Sequence, residues 1–303
     1  SEKWEQKGLL AVIGLGIDPG VVDVFAKFAA EYLFDELHEI HVKDGNNLQI
    51  PGATDRVMFG FNVWTVLDEC LNPNVEWDKE KGYIVDRPFA GEELFEMPAG
   101  VGTNRLVKVE HEEVVLMPRY LEKYGLRKCT FKIALDDNLI NALKAVEALG
   151  LRSLKPINVG GVEVVPRDVV AAAAPQPTDL GNELVGKMCV GVHCIGIKDG
   201  KKREIFMYQA TDNQDSMKRL GMQAVVAQTG YGAAIGIEMI GRGLWKGKGV
   251  HAPEAFDPIP YLQVMEESGF DYGLVEMDSE YKHEKDKEMM QELFKKAQQK
   301  AAK

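Results

Sequence analysis

The stretch Gly8–Gly20, GLLAVIGLGIDPG, places the tightest local constraint on this chain. A short apolar run ends in three glycines spaced GxGxxxG (Gly14, Gly16, Gly20), and the apolar-periodic segment VVDVFAKFAAEYLFDEL follows. This order predicts a buried strand, a tight turn and a helix, with Pro19 at the first helical position. The turn has three readings. Glycines at a strand-to-helix turn let a backbone approach a pyrophosphate, and Asp44 stands near the spacing of a ribose-binding acid. Against that, Asp18 would set a negative charge where phosphates lie, and Pro19 lacks an N–H to offer them. The second reading is a plain strand-to-helix corner. The third is a corner at the mouth of an active site, with Asp18 or backbone groups facing a ligand.

The rest of the chain does not continue as alternating strands and helices. HEIHVKDG reads as a strand, RVMFGFNVWTVLDEC as a strand running into a helix or bend, and residues 72–104 as short strands and loops. RLVKVEHEEVVLMPRYL mixes alternation with a polar cluster. KCTFKIAL is a strand, and DNLINALKAVEALGL a helix capped near Asp137 or Asn138 and ended by Gly150. The Ala-Pro-rich VVAAAAPQPTDLG breaks the chain. Beyond it MCVGVHCIGIKDGKKREIFMYQAT is a hairpin around a Lys-Asp-Gly-Lys turn, and MKRLGMQAVVAQTGYGAAIGIEMIGRGL one long helical stretch. WKGKGVHAPEAFDP reads as a loop, IPYLQVMEESG as a helix, and the charged tail from about Asp278 as a solvated helix. A short βα piece, a strand-rich middle and then helices give an α+β chain: a mixed sheet covered by helices.

With 303 residues the chain can bury a substantial core. With a net charge of −11 nothing favours a polyanion partner, and no nucleic acid is expected. No apolar run approaches the roughly 20 residues of a membrane span. Cys70, Cys129, Cys189 and Cys194 include no CxxC pair, which points to reduced thiols and a cytoplasmic setting. In KMCVGVHCIG, strand alternation puts Cys189 and His193 on one face and Cys194 on the other, so no metal is expected there.

Three segments carry candidate chemistry. VEHEEVVLMPR groups His111, Glu112, Glu113 and Arg119: a proton-transfer group, carboxylates for an ammonium and a guanidinium for a substrate carboxylate, unless it is a solvated turn of paired charges. FNVWTVLDE offers Asn62, Trp64 and Glu69, with Trp64 either a pocket wall on a strand or a core residue. In AVVAQTGYGAAIG, Gln228, Thr229 and Gly230 interrupt an apolar helix, through a close ligand or helix packing. His251 reads as a loop residue, and His38, His41 and His283 as surface. There is no GxSxG elbow to suggest a hydrolase.

Together GLGIDPG, VEHEEVVLMPRY and AQTGYGAAIGIEMIGRGLWKGKGVHAPE resemble the saccharopine dehydrogenase-like family, over nearly the whole chain to about Gly273. The resemblance implies an NAD(P)-dependent oxidoreductase acting on the C–N bond of an amino acid or amino-acid-derived secondary amine, in lysine or polyamine metabolism. It also implies a Rossmann domain with an inserted α+β domain. The family's phosphate-binding glycines lie upstream of a corner like this one, so the chain reads as the later part of such an enzyme. Residues 1–16 would be a remnant Rossmann strand. Residues 17–216 would be the substrate and dimerisation domain, and 217–303 helices returning to the Rossmann part. On this view Asp18, His111 and Glu112 are catalytic candidates. Asn62, Trp64, Glu113 and Arg119 face the substrate, and Gly16, Pro19, Gly20, Thr229 and Gly230 border the NAD or NADP. An amino-acid substrate, weak cofactor binding by this chain alone and a homodimer are expected. The alternatives are a non-catalytic binding module of the same fold, or a self-contained NADP enzyme using Gly14, Gly16 and Gly20.

Overall fold

The computed structural model describes residues 1–53, 57–180, 182–281 and 286–301. Arg56, Gly181 and His283, each part of an expectation above, lie outside them. The strands are β1 Leu10–Val12, β2 Glu36–Asn46, β3 Asn74–Asp78, β4 Gly82–Asp86, β5 Glu93–Met97, β6 Gly102–Val107 and β7 Lys128–Ala134. They continue as β8 Ile157–Val159, β9 Val162–Val164, β10 Lys187–Lys198, β11 Lys201–Asp212, β12 Gly249–His251 and β13 Tyr272–Glu276. The helices are α1 Glu2–Gln6, α2 Val21–Phe28, α3 Val63–Leu71, α4 Glu113–Leu121 and α5 Asp137–Ala148, then α6 Pro166–Ala173, α7 Asn213–Leu220, α8 Ala224–Gly241, α9 Ile259–Glu267 and α10 Asp286–Ala301.

Nine strands form one mixed sheet, ordered β13-β11-β10-β2-β7-β3-β4, with β6 pairing β7 and β5 pairing β6. Only β2 and β7 run parallel within it, Asp44 standing beside Ile133. The β10–β11 hairpin turns at Asp199 and Gly200, both at positive φ, as its sequence predicts. Its alternation sends Val190, Val192 and Cys194 into the main core, while Cys189 packs in a smaller cluster with Phe95, Met97 and Phe206. His193 lies apart from Cys194 and bonds Glu204 at 2.8 Å. The main core gathers under α2, whose residues are all buried, including Asp23 and Lys27. The four cysteines are free and buried, and among the described residues no helix is long and apolar enough to cross a membrane.

Several local expectations are corrected. Gly20, not Pro19, caps α2, and the helix gives way to a π-turn over Ala29–Leu33, so Glu36 and Leu37 open β2. Val57–Asn62 form no strand. Asn62 caps α3, its Oδ1 accepting from the Trp64 and Thr65 N–H groups at 2.9 and 3.3 Å. Asp136 rather than Asp137 caps α5. The long helix near residue 220 is two helices, because Gly221 adopts a left-handed conformation and ends α7. The expected loop at 245–258 contains β12, which pairs in parallel with β1 and so joins the two ends of the chain. His251 lies on that strand. His41 is partly buried, bonding Thr130 at 2.7 Å and Glu39 at 3.0 Å.

The Gly14–Gly20 corner lies against α8. A Cβ on Gly232 would stand 1.9 Å from the Gly16 carbonyl oxygen, and one on Gly20 would stand 2.4 Å from the Gly16 N and O. Gly230, two residues from Gly232 on the same helix, faces open space. Their substitutions therefore have opposite signs. Gly230→Ala raises stability by about 0.5–1 kcal/mol through helix propensity. Gly232→Ala lowers it by about 2–4 kcal/mol because backbone must move. Urea denaturation of the two variants checks this, and equal shifts would refute the close approach.

Candidate active site

The corner, the ends of β2 and β7, the inner face of α3, Leu180, Leu184 and the start of α8 enclose a cavity of about 240 Å³. Its polar lining is Asp18, Asp44, Glu69, His111, Asp136 and the amides of Asn46, Asn213 and Gln223; Leu48, Met58, Leu139, Leu184 and Met188 belong to its apolar wall. Each carboxyl arrives from a different element. Asp18 comes from the corner held by Gly16 and Gly20, joined to Pro19 by a cis peptide bond. Asp44 and Asn46 are two residues apart on β2 and so share a face. Val66, Glu69 and Cys70 sit at helical spacing on α3. His111 precedes α4 and stacks on Phe131 of β7, with ring centroids 3.9 Å apart.

His111 and Glu113 form a buried pair, Nδ1 to Oε2 at 2.5 Å, with side chains 8% and 0% exposed. Burial alone would depress the imidazole, but the charge of Glu113 and its hydrogen bond override this and push His111 up to about 10. The carboxyls move up as well. Desolvation, with Asp44 adding to it, holds Asp18 well above the carboxylate range. Desolvation likewise lifts Asp44 to about 7 against the pull of His111, and lifts Glu69 to about 7. Asp44 Oδ1 is buried without a hydrogen-bond partner. Behind Glu113 lie two more buried acids. Asp23 Oδ2 accepts from the Gly20 N–H at 2.6 Å, and burial beside Glu254 raises both carboxyls. The cavity is thus proton-loaded near neutrality and gains charge when a cation enters.

Asp18, His111 and Glu113 each place one ligand atom within 4.8 Å of the others. Two ligands of a tetrahedral zinc at about 2.0–2.2 Å would stand roughly 3.4 Å apart. The 2.5 Å contact between His111 and Glu113 is therefore that of an ion pair. The corner is closely packed: a Cβ on Gly20 would meet the Gly16 backbone, one on Gly16 would meet Pro19 O and Thr229, and one on Gly14 would meet Pro19 and Leu116. Thr229 and Asp18 do reach the cavity wall.

Of the residues singled out from sequence, Asp18, His111 and Thr229 line the cavity and Glu113 stands directly behind it. Gly16 and Gly20 are buried in the corner, Pro19 packs on Gly14, and Gly230 is exposed. Asn62, Trp64, Glu112 and Arg119 are not in the lining. Asn62 caps α3, Trp64 lies under Arg167, Glu112 is 68% exposed, and Arg119 is exposed on α4. Glu69 sits in the same FNVWTVLDE run and is the member that reaches the site. Asp44, considered for a ribose, faces Asp18's cavity instead. Nothing local marks Asn46, Asn213 or Gln223. One outcome follows from the pair. Because His111 is raised above the ordinary 6.5, its stabilisation is complete below about 6.5 and lost as pH rises through about 10. In Glu113→Gln the main raising influence is gone, and the imidazole is expected to titrate well below its value in the unsubstituted chain. Imidazole NMR against pH measures both, and a neutral His111 in the unsubstituted chain at pH 7.5 would contradict the pairing.

Comparison with known proteins agrees with this architecture. Carboxynorspermidine synthase of Vibrio alginolyticus is 32% identical over 282 residues, covering 91% of this chain and 65% of that enzyme. Carboxyaminopropylagmatine dehydrogenase of Synechocystis is 27% identical over 283 residues, covering 88% of this chain and 66% of that one. The chain thus spans just under two-thirds of the length of these curated relatives. Two solved structures share the fold. Saccharopine dehydrogenase (L-Glu forming) of Saccharomyces cerevisiae has a TM-score of 0.63 at 13% identity, over 90% of this chain and 75% of that one. Homospermidine synthase of Legionella pneumophila, solved in complex with NAD, has a TM-score of 0.61 at 14% identity, over 89% and 64%. The saccharopine dehydrogenase C-terminal domain model matches residues 16–270, from the corner through α9, and the chain belongs to that family.

Proposed function

We propose that this chain forms the amine-binding side of a nicotinamide-dependent oxidoreductase that makes or breaks the C–N bond of a diamine-derived secondary amine. The observation that carries this is the charge of the cavity. Asp18, Asp44, Glu69 and Asp136 line it, and no Lys or Arg does among the described residues. Such a wall welcomes an ammonium, and among the described residues the one cation it turns toward a substrate carboxylate is His111, already paired with Glu113. The Leu and Met wall suits an aliphatic chain between charged ends. The compounds in the names of the Vibrio and Synechocystis relatives are carboxylated polyamines; their amine part points the same way, and their carboxyl would need a partner such as His111. The shifted titration of Asp18, Asp44, Glu69 and His111 around one cavity also favours an enzyme over a binding module.

The nicotinamide supplies or accepts the hydride, and its phosphates need a cradle other than this corner. The chain's own residues manage the amine. An arriving ammonium meets the unpaired Asp44 Oδ1 and draws Asp44 and Glu69 into their ionised forms. To attack a carbonyl carbon, the amine nitrogen must first lose a proton. Asp44 and Glu69, both near 7, are matched to take it and to return it to the departing hydroxyl as the C=N bond forms. His111, held cationic by Glu113, keeps its proton and fixes the charge balance around them.

Calorimetric titration with 1,3-diaminopropane, putrescine, agmatine, lysine and glutamate tests the reading, followed by turnover with NADH or NADPH in the full-length protein. The diamines are expected to bind best. Binding should release protons near pH 7 and tighten as pH rises through about 7, where Asp44 and Glu69 ionise. Asp44→Asn should weaken diamine binding roughly 10- to 100-fold. Glutamate binding as tightly as a diamine would overturn the proposal.

A further inference from the structure

Helix α3 has two working faces. Val66, Glu69 and Cys70 point one way and line the cavity. Trp64 and Asp68, four residues apart, occupy another face and are gripped by a single side chain from α6. Arg167 is 6% exposed. Its Nη2 donates to the Trp64 carbonyl at 2.7 Å and meets Asp68 Oδ2 at 2.6 Å. Its guanidinium carbon lies 4.3 Å from the centre of the Trp64 ring. The far end of the helix is held from the same excursion of chain. Arg152 Nη1 donates to Asn72 Oδ1 at 3.0 Å, and Asn72 is the C-cap of α3. The Arg167 N–H in turn donates to the Ser153 carbonyl at 3.3 Å, which ties the two arginines' segments together.

We propose that Arg167 is a positioning residue for Glu69. It clamps the outer face of α3 and neutralises Asp68, so that the inner face presents Glu69 to the cavity as an ionisable carboxyl. Its functional meaning rests on the amine reading above, while the geometry stands apart from it. A buried planar guanidinium that stacks on an indole and donates to both a carbonyl and a carboxylate fixes helix rotation as well as helix position. A rotation about the α3 axis would carry Glu69 off the cavity and Asp68 toward it.

The charge part of the proposal depends on what faces Glu69. His111, Glu112 and Glu113 face it from α4 and the loop before it, with Asp44 on β2, Asp18 at the corner, and Asp68 and Cys70 on its own helix. Glu110 donates its N–H to the Glu69 carbonyl at 3.0 Å. In this set His111 is the cation on the cavity side, and Asp68 is the acid whose charge Arg167 answers from outside. Freed of Arg167, the half-exposed Asp68 carboxylate is no longer offset and disfavours the ionised form of Glu69.

The test is a ¹³C-carboxyl NMR titration of Glu69 in the ligand-free chain. Arg167→Met keeps much of the stacking stem and removes the charge; it should move the Glu69 midpoint up by about 0.5 unit, the scale of a partly exposed pair. Adding Asp68→Asn should return it. Diamine affinity at pH 7 should fall about two-fold in Arg167→Met, in step with the lost ionised fraction. A folded Arg167→Met chain with an unmoved Glu69 midpoint would overturn the proposal, as would failure of Asp68→Asn to restore it. If Arg167→Met does not fold, Asp68→Asn alone serves: it frees the Arg167 charge and should lower the midpoint, and no shift would count against the proposal. A shifted midpoint in a chain that binds no diamine would support the positioning role and sink the amine reading.

Discussion

The approach of the Gly16 carbonyl to the α-carbon of Gly232 is the contact on which the site depends. Gly232 has no room for a side chain, and a Cβ on Gly16 would press on Pro19 O at 3.2 Å and on Thr229 at 3.3 Å, so the corner after β1 can press directly onto α8. That contact fixes where Asp18 projects. It also holds Gly20 where its N–H reaches Asp23 at 2.6 Å, which starts α2 in the middle of the core. The parallel pairing of β1 with β12 brings the C-terminal part of the chain to the same corner. The acid that faces the cavity and the helix that backs it are thus set by one backbone-to-backbone contact.

Around that corner the electrostatics follow from burial. His111, cationic through Glu113, is answered by more carboxyls than it can neutralise, so Asp18, Asp44 and Glu69 hold their protons to higher pH than exposed acids do. A site of this kind is reluctant to be charged when empty and eager to be charged around a cation. Asp23 and Glu254, buried behind Glu113, continue the same logic: two acids in one dry pocket do not both ionise easily. The carboxyls of the described cavity lining are the basis of the proposed preference for amines.

Legibility in the sequence followed the range of the interactions. The β10–β11 hairpin and the capped helix α5 were readable because their signals lie within a few residues: strict alternation around Asp199-Gly200, and an acid three residues before an apolar stripe. β12 was not readable, since three residues in a Gly- and Lys-rich segment become a strand only through pairing with β1, at the opposite end of the chain. Trp64 and Asn62 drew attention as a Trp–Asn pair on an expected strand. On a helix, Asn62 becomes the cap and Trp64 turns outward beneath Arg167.

From its own residues the chain fixed the elements with short-range codes, the strand–glycine–helix corner, the proximity of His111 to Glu113, and a net acidity. The motifs also carried the family. The packed fold settled which acids meet. Asp18, Asp44 and Glu69 are far apart in sequence and converge only because β2 and β7 run side by side in parallel while α3 closes over their ends. It also showed what the glycines touch. Spacing alone allowed a phosphate cradle, but the room at Gly16 and Gly20 is taken by neighbouring backbone and by α8, and steric exclusion of that kind is visible only once the chain has folded onto itself.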